Sequence, residues 1–155
     1  MTDLITKQGH RKAAEIIKKF EGLRLQAYLD SVHVPTIGWG TTHYTDGKAV
    51  QMHDIISEEQ AEVLLAHDMH TYEEGIKRHV AMDLGDDADA ALISFAYNLG
   101  LGNLYHSHLL TYINEGRLRD AADEWPKWCH AGGKVLDGLV KRRNMERDLF
   151  LKGVA

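Results

Sequence analysis

The sequence predicts an α+β fold, mainly helical, in which a small antiparallel sheet lobe and a helical lobe are joined by one long helix with a cleft between them. Three observations carry this. Residues 7–21 place apolar side chains at helical spacing. Residues 25–50 are rich in strand formers, punctuated by Pro35 and several glycines. A capping sequence at Ser57 then opens a helical pattern that runs, with glycine breaks, to about residue 151.

In the first helix, about Lys7 to Glu21, residues Ala13, Ile16, Ile17 and Phe20 fall at i, i+3, i+4 and i+7 and form one apolar stripe. Thr6 is its expected N-cap and Gly22 its expected stop. Tyr28, Val32, Val34, Ile37 and Trp39 supply the sheet, and Thr45-Asp46-Gly47-Lys48 reads as a turn between two short strands. Ser57-Glu58-Glu59-Gln60 has the form of a capping box. The helix it opens reaches about Val80, with Ala61, Leu64, Leu65, Tyr72 and Ile76 on its apolar side. Further helical patterns cover Ala88 to Leu99, Ser107 to Asn114, Leu118 to Trp128 and Leu139 to Leu151, broken at Gly100-Leu101-Gly102 and at Gly132-Gly133. The expectation is one domain over residues 1–155: a sheet lobe at about 22–56, a linking helix at about 57–80, and a helical lobe at about 81–155 that includes part of the first helix.

Composition excludes several classes. With 155 residues, 44% hydrophobic and 26% charged, the chain can bury a core without staples. A net charge of -5 argues against a broad grip on nucleic acid. The local basic run Lys141 to Arg147 reads as a solvated helix face. Cys129 is the single cysteine, so no internal disulfide can form. The sequence shows neither a signal peptide nor a membrane span.

The chemistry concentrates at the junction of the first helix and the hairpin, where Glu21, Asp30 and Thr36 form the pattern Glu-x8-Asp-x5-Thr. Glu21 falls in the last helical turn, where the helix dipole and a nearby Asp30 both favour the acid form that a general acid needs. The hairpin can bring Asp30 and Thr36 to one side of a small space, where they would hold a water. An acid paired with a second carboxylate that directs water is the equipment of glycoside hydrolysis. The residues by themselves support a carboxylate-based hydrolase and nothing narrower.

This segment, framed by Phe20-Glu21-Gly22 and Pro35-Thr36-Ile37-Gly38-Trp39-Gly40, resembles the catalytic segment of the phage-type lysozymes, the endolysin muramidases. The similarity extends to Ser94 through Gly100, Ser107 through Gly116 and Trp128 through Arg143, in matching order. The resemblance implies a lysozyme-like fold and hydrolysis of the β-1,4 bond between N-acetylmuramic acid and N-acetylglucosamine in bacterial peptidoglycan. It gives Glu21 the role of general acid and Asp30 and Thr36 the handling of water, by an inverting route. It also places Tyr97 and Ser107 on the sugar-binding wall. No cofactor is implied, and the expected state is a monomer. With no signal peptide in view, the resemblance implies accumulation in the host cytoplasm and passage to the wall through a holin-type membrane lesion. The alternatives are a lytic transglycosylase, which needs the Glu but not the Asp/Thr pair, and a non-catalytic wall-binding module. Two positions depart from the family pattern: His33 stands where a turn glycine is common, and Thr41-Thr42-His43 follows Gly40 where a histidine often comes directly.

Other signals are read as structural. His67, His70, His106 and His108 form pairs but no converging set, so no metal site is expected. Trp125 and Trp128 are expected to pack in the helical lobe, and Trp39 to anchor the sheet.

Overall fold

The computed structural model describes Ile5 and residues 7–154; the expected cap Thr6 lies outside the described residues. Helix α1 spans Gln8–Glu21 and ends at Gly22, whose φ of 71° is a backbone state that glycine adopts without cost. Its apolar stripe is buried at Ala13, Ile16 and Ile17, with Phe20 half-buried at the far end. Strands β1 (Arg24–Leu29) and β2 (Pro35–Gly38) pair antiparallel, with Tyr28 opposite Thr36 and Leu29 opposite Pro35. His33 adopts a φ of 63° in the connecting turn, the left-handed state that the sequence demanded of it. Beyond β2, the expected pair of short strands around residues 45–48 reduces to one bridge, His43 to Ala49, closed by a Tyr44–Lys48 hydrogen bond of 2.9 Å.

Helix α2 (Glu58–His79) begins with the capping box read from the sequence: Gln60 N–H donates to Ser57 Oγ at 3.1 Å, and Ser57 N–H to Gln60 Oε1 at 2.8 Å. It packs against β2 on one side and against α3 (Asp86–Leu99) on the other. Helix α3 is the axle of the helical cluster. Its residues Ala90 through Ala96 are all buried, because α1 and α7 (Asp137–Val154) close around it. Small residues allow the close approach: a Cβ on Gly153 would sit 2.7 Å from the Ala88 backbone nitrogen. Phe95, Trp125 and Phe150 are completely buried, with Trp125 at 5.9 Å from Phe95 and 4.8 Å from Phe150 between ring centroids.

Several segments differ from expectation. A short helix α4 (Leu101–Tyr105) follows Gly100 directly, where the sequence suggested only a break. Helix α5 spans His108–Asn114. Helix α6 (Leu118–Glu124) stops short of Trp128 and gives way to a 3-10 turn at Trp125–Lys127, since Pro126 lacks the N–H that a continuing helix requires. Gly132 and Gly133, at φ of 59° and 76°, do not merely break a helix but turn a hairpin of β3 (His130–Ala131) and β4 (Lys134–Val135). The basic run on α7 is solvated only in part, at Lys141 and Asn144. Arg142 and Arg143 are buried at 2% and 0% exposure, because Glu146 and Ser94 lie beside them in the core.

Candidate active site

Helix α1 delivers Glu21 as its final residue, one-quarter exposed, at the foot of the hairpin. Arg142 of α7 reaches it: Nη1 donates to Glu21 Oε2 at 2.5 Å. The same guanidinium donates through Nη2 to the Ser94 carbonyl at 3.2 Å and through Nε to Glu146 Oε2 at 3.3 Å. Glu146 is fully enclosed and also accepts from Trp125 Nε1 at 3.2 Å, from the Ser94 hydroxyl and from Arg143. Burial pushes the Glu146 carboxyl up, and the two guanidiniums pull against it. The Glu21 carboxyl therefore rests on a braced cation. Sequence reasoning missed Arg142 because it took residues 141–147 for a charged surface. The legible signal was the spacing: Glu146 stands four residues after Arg142 and three after Arg143, on a helix that carries Leu139, Val140 and Phe150.

Asp30 caps the β-turn. Its Oδ1 accepts from the backbone N–H of both Val32 and Val34 at 2.9 Å, which fixes the carboxylate relative to the hairpin. Thr36, buried at 3% exposure, donates its hydroxyl to the Val34 carbonyl at 2.8 Å, so toward a water it can act only as an acceptor. Tyr28 senses both carboxylates. Burial first, then the negative charge of Glu21 and, more weakly, of Asp30, push its phenol above 10.0, opposed by Arg24.

Two pockets lie near Glu21, one of them lined by it. One, of about 260 Å3, is lined by Phe20, Glu21, Asn98, Leu136, Leu139 and Arg142. The other, of about 230 Å3, is lined by Gly40, Thr42, His43, Asp68, Tyr72 and Tyr97, among others. Gly40 is the partition between Glu21 and the second pocket: a Cβ there would lie 3.5 Å from Glu21 Oε1 and 3.6 Å from Tyr97 Cε1, at a φ of 104° that already favours glycine. Tyr97 donates its hydroxyl to the Trp39 carbonyl at 2.6 Å, so its ring and not its hydroxyl is offered to the pocket. Burial drives that phenol far above its usual value. Tyr72 stands beside it at 5.5 Å between ring centroids. Asp68 supplies a further carboxylate. Burial raises its carboxyl, opposed by a 2.7 Å hydrogen bond from Thr41 Oγ1 and by His67 and His43. A lone Asp in a helical run carries no sequence signal of such a position.

Ser107 does not join this site. It is buried at 3% exposure and caps α5, accepting from Leu110 N–H at 3.1 Å and donating to the Leu104 carbonyl at 2.7 Å. Its placement on a sugar-binding wall is corrected: the hydroxyl that would meet a sugar satisfies a helix end instead. Trp125 and Trp128 both pack against Phe95, and Trp39, buried with Lys18 Nζ 4.5 Å above its ring, anchors the sheet. Among the described residues no cluster of three or more His, Cys, Asp and Glu side chains could hold a metal ion.

Comparison with known proteins bears on this geometry. The phage lysozyme family model matches residues 18–146, which include the whole pattern from Glu21 to Arg142. The endolysin of Bacillus phage B103 is 47% identical over 140 residues, 89% of this chain and 52% of that protein, so the chain spans about half the length of that relative. The SAR-endolysin of bacteriophage PS119 is 38% identical over 133 residues, covering 86% of this chain and 77% of the relative. The solved structure of an endolysin from Escherichia coli O157:H7 phage FAHEc1 superposes with a TM-score of 0.81 at 34% identity, covering 99% of this chain and 96% of that one, and shares the mainly helical fold with a small antiparallel sheet. By sequence and by fold, the chain belongs to the phage lysozyme family.

Proposed function

We propose that the chain is an N-acetylmuramidase of the endolysin type, which hydrolyses the β-1,4 bond between N-acetylmuramic acid and N-acetylglucosamine in bacterial peptidoglycan. The observation that carries this reading is the placement of Glu21: a carboxyl held by Arg142 in the lining of a pocket, with Asp30 pinned across the hairpin by two backbone donors. Glu21 protonates the leaving glycosidic oxygen. Asp30 takes the proton of a water that Thr36 orients, and the water attacks from the opposite face with inversion. The sheet region and the helical cluster serve as the two lobes of one domain, with the glycan strand between them. The enzyme works as a monomer on the wall of its host, held in the cytoplasm until a separate holin-type protein opens the membrane. No described helix is long and apolar enough to cross a membrane itself.

The test is clearing of a purified peptidoglycan suspension by wild type and by Glu21→Gln. Wild type clears it and the folded variant does not. Hydrolysis releases a reducing muramic acid end, first as the α anomer. A 1,6-anhydro product would transfer the assignment to a lytic transglycosylase, and a β anomer would refute inversion. Binding to the wall with no sugar released by wild type would leave only a wall-binding module.

A further inference from the structure

The pocket on the Tyr97 side of Glu21 contains a group that the proposed hydrolysis does not use. Asp68, on the third turn of α2, turns its carboxylate into a space walled by Tyr72 and Tyr97, with Thr42, His43 and the Gly40 backbone completing the rim. Thr41 fixes it there. Thr41 is itself 2% exposed and pinned by a reciprocal bridge to Ile37, with N–H to O distances of 2.8 and 2.9 Å. Its hydroxyl donates to Asp68 Oδ2 at 2.7 Å. No other described residue donates to the carboxylate. Asp68 is half-buried, and that burial raises its carboxyl. A desolvated carboxylate with one satisfied oxygen, in a pocket it shares with two aromatic rings and with hydroxyls, is built to accept a hydrogen bond from a ligand.

We propose that Asp68 is a specificity-determining substrate contact, whose Oδ1 accepts a hydrogen bond from a hydroxyl or acetamido N–H of an uncharged amino-sugar ring seated in the pocket against the wall formed by Tyr72 and Tyr97. Charge selects the ring. A sugar that carries a lactyl carboxylate or a peptide stem meets the negative charges of Asp68 and Glu21 together, and N-acetylglucosamine meets only acceptors it can satisfy. The muramic acid unit then lies on the Arg142 side of Glu21, in the pocket of Asn98, Leu136 and Leu139. The assignment of the sugar rests on the muramidase reading, but the contact itself can be scored without turnover.

The experiment titrates tri-N-acetylchitotriose into Glu21→Gln protein and into Glu21→Gln/Asp68→Asn protein by calorimetry. In the Asn variant Thr41 keeps donating to the amide oxygen, so the NH2 group faces the ligand, and the loss of the charged acceptor raises Kd about ten-fold or more. An equal Kd in the two folded proteins, or no binding of the trisaccharide at all, overturns the proposal. The side-chain carboxyl carbon of Asp68, followed by NMR in wild-type protein, which keeps both negative charges, removes any dependence on the folding of the Asn variant. Its signal moves on saturation with the trisaccharide and stays in place with N-acetylmuramic acid. An unmoved signal at saturation, or equal movement with the acidic sugar, overturns the contact or its charge selection. Failure of the muramidase reading is seen elsewhere, in wild-type protein that binds the trisaccharide and leaves peptidoglycan uncut.

Discussion

Ser107→Ala separates two meanings of one serine. The hydroxyl makes two hydrogen bonds: it accepts from Leu110 N–H at 3.1 Å and donates to the Leu104 carbonyl at 2.7 Å. The Leu104 carbonyl keeps a partner in the variant, because it also accepts from the Ser107 backbone N–H at 3.1 Å. Leu110 N–H does not, and Leu110 is buried at 5% exposure, so no water replaces the lost oxygen. An orphaned buried donor costs about 1–3 kcal/mol, and N-cap replacements by alanine span about 0.5–2 kcal/mol. The overlap is about 1–2 kcal/mol. For a chain of this size each kcal/mol moves Tm by roughly 2–4 °C, so the midpoint should fall by about 2–8 °C. Urea unfolding followed by circular dichroism reads the loss, with the slope unchanged. Peptidoglycan turnover at 20 °C, where both proteins are folded, should keep its KM. A KM raised several-fold with an unmoved Tm would refute the cap and restore Ser107 to the substrate wall.

Two further outcomes follow from the helical cluster. Burial raises Asp89 from 3.8 to about 6, opposed by Lys77 and reinforced by Asp83, Glu73 and Asp86. A carboxyl raised on folding favours the fold while protonated, and that contribution is lost as pH climbs through about 6. Asp89→Asn should therefore gain on wild type between pH 4 and pH 7.5 in thermal melts, and a difference in Tm that is flat or falls with pH would contradict this. Gly153→Ala places a methyl 2.7 Å from the Ala88 nitrogen and must push α7 from α3. Overpacking of this kind costs about 1–3 kcal/mol, and an unchanged urea midpoint would show that α7 shifts freely.

What the sequence made legible was whatever local chemistry decides. The stripe of α1, the stop at Gly22, the capping box of α2 and the strained turn at His33 are each fixed by residues within a few positions of one another. Glu21, Asp30 and Thr36 could be singled out as candidates for the same reason, lying within 16 residues of chain. What escaped was set by distant partners. Arg142 looks like a surface cation until α3 and Glu146 enclose it, and Asp68 looks like any solvated helix residue until the hairpin brings Thr41 against it. Ser107 failed in the opposite sense: its position in a motif suggested a ligand, and its cap geometry shows that the helix end consumes it. The β3–β4 hairpin was hidden because two glycines terminate a helix and turn a hairpin equally well.

The ion pair between Glu21 and Arg142 has a temporal side. Its two residues are 121 positions apart, whereas β1 and β2 pair across a short turn. Contacts between near residues form early, and closing a long loop must wait until other contacts offset its entropy. During synthesis on the ribosome the hairpin and α2 emerge while α7 does not yet exist. Glu21 therefore spends most of the chain's synthesis without Arg142, and it acquires its final setting only when α7 docks along α1 and α3. The setting of Glu21 is thus completed by the C-terminal helix, the element synthesised last.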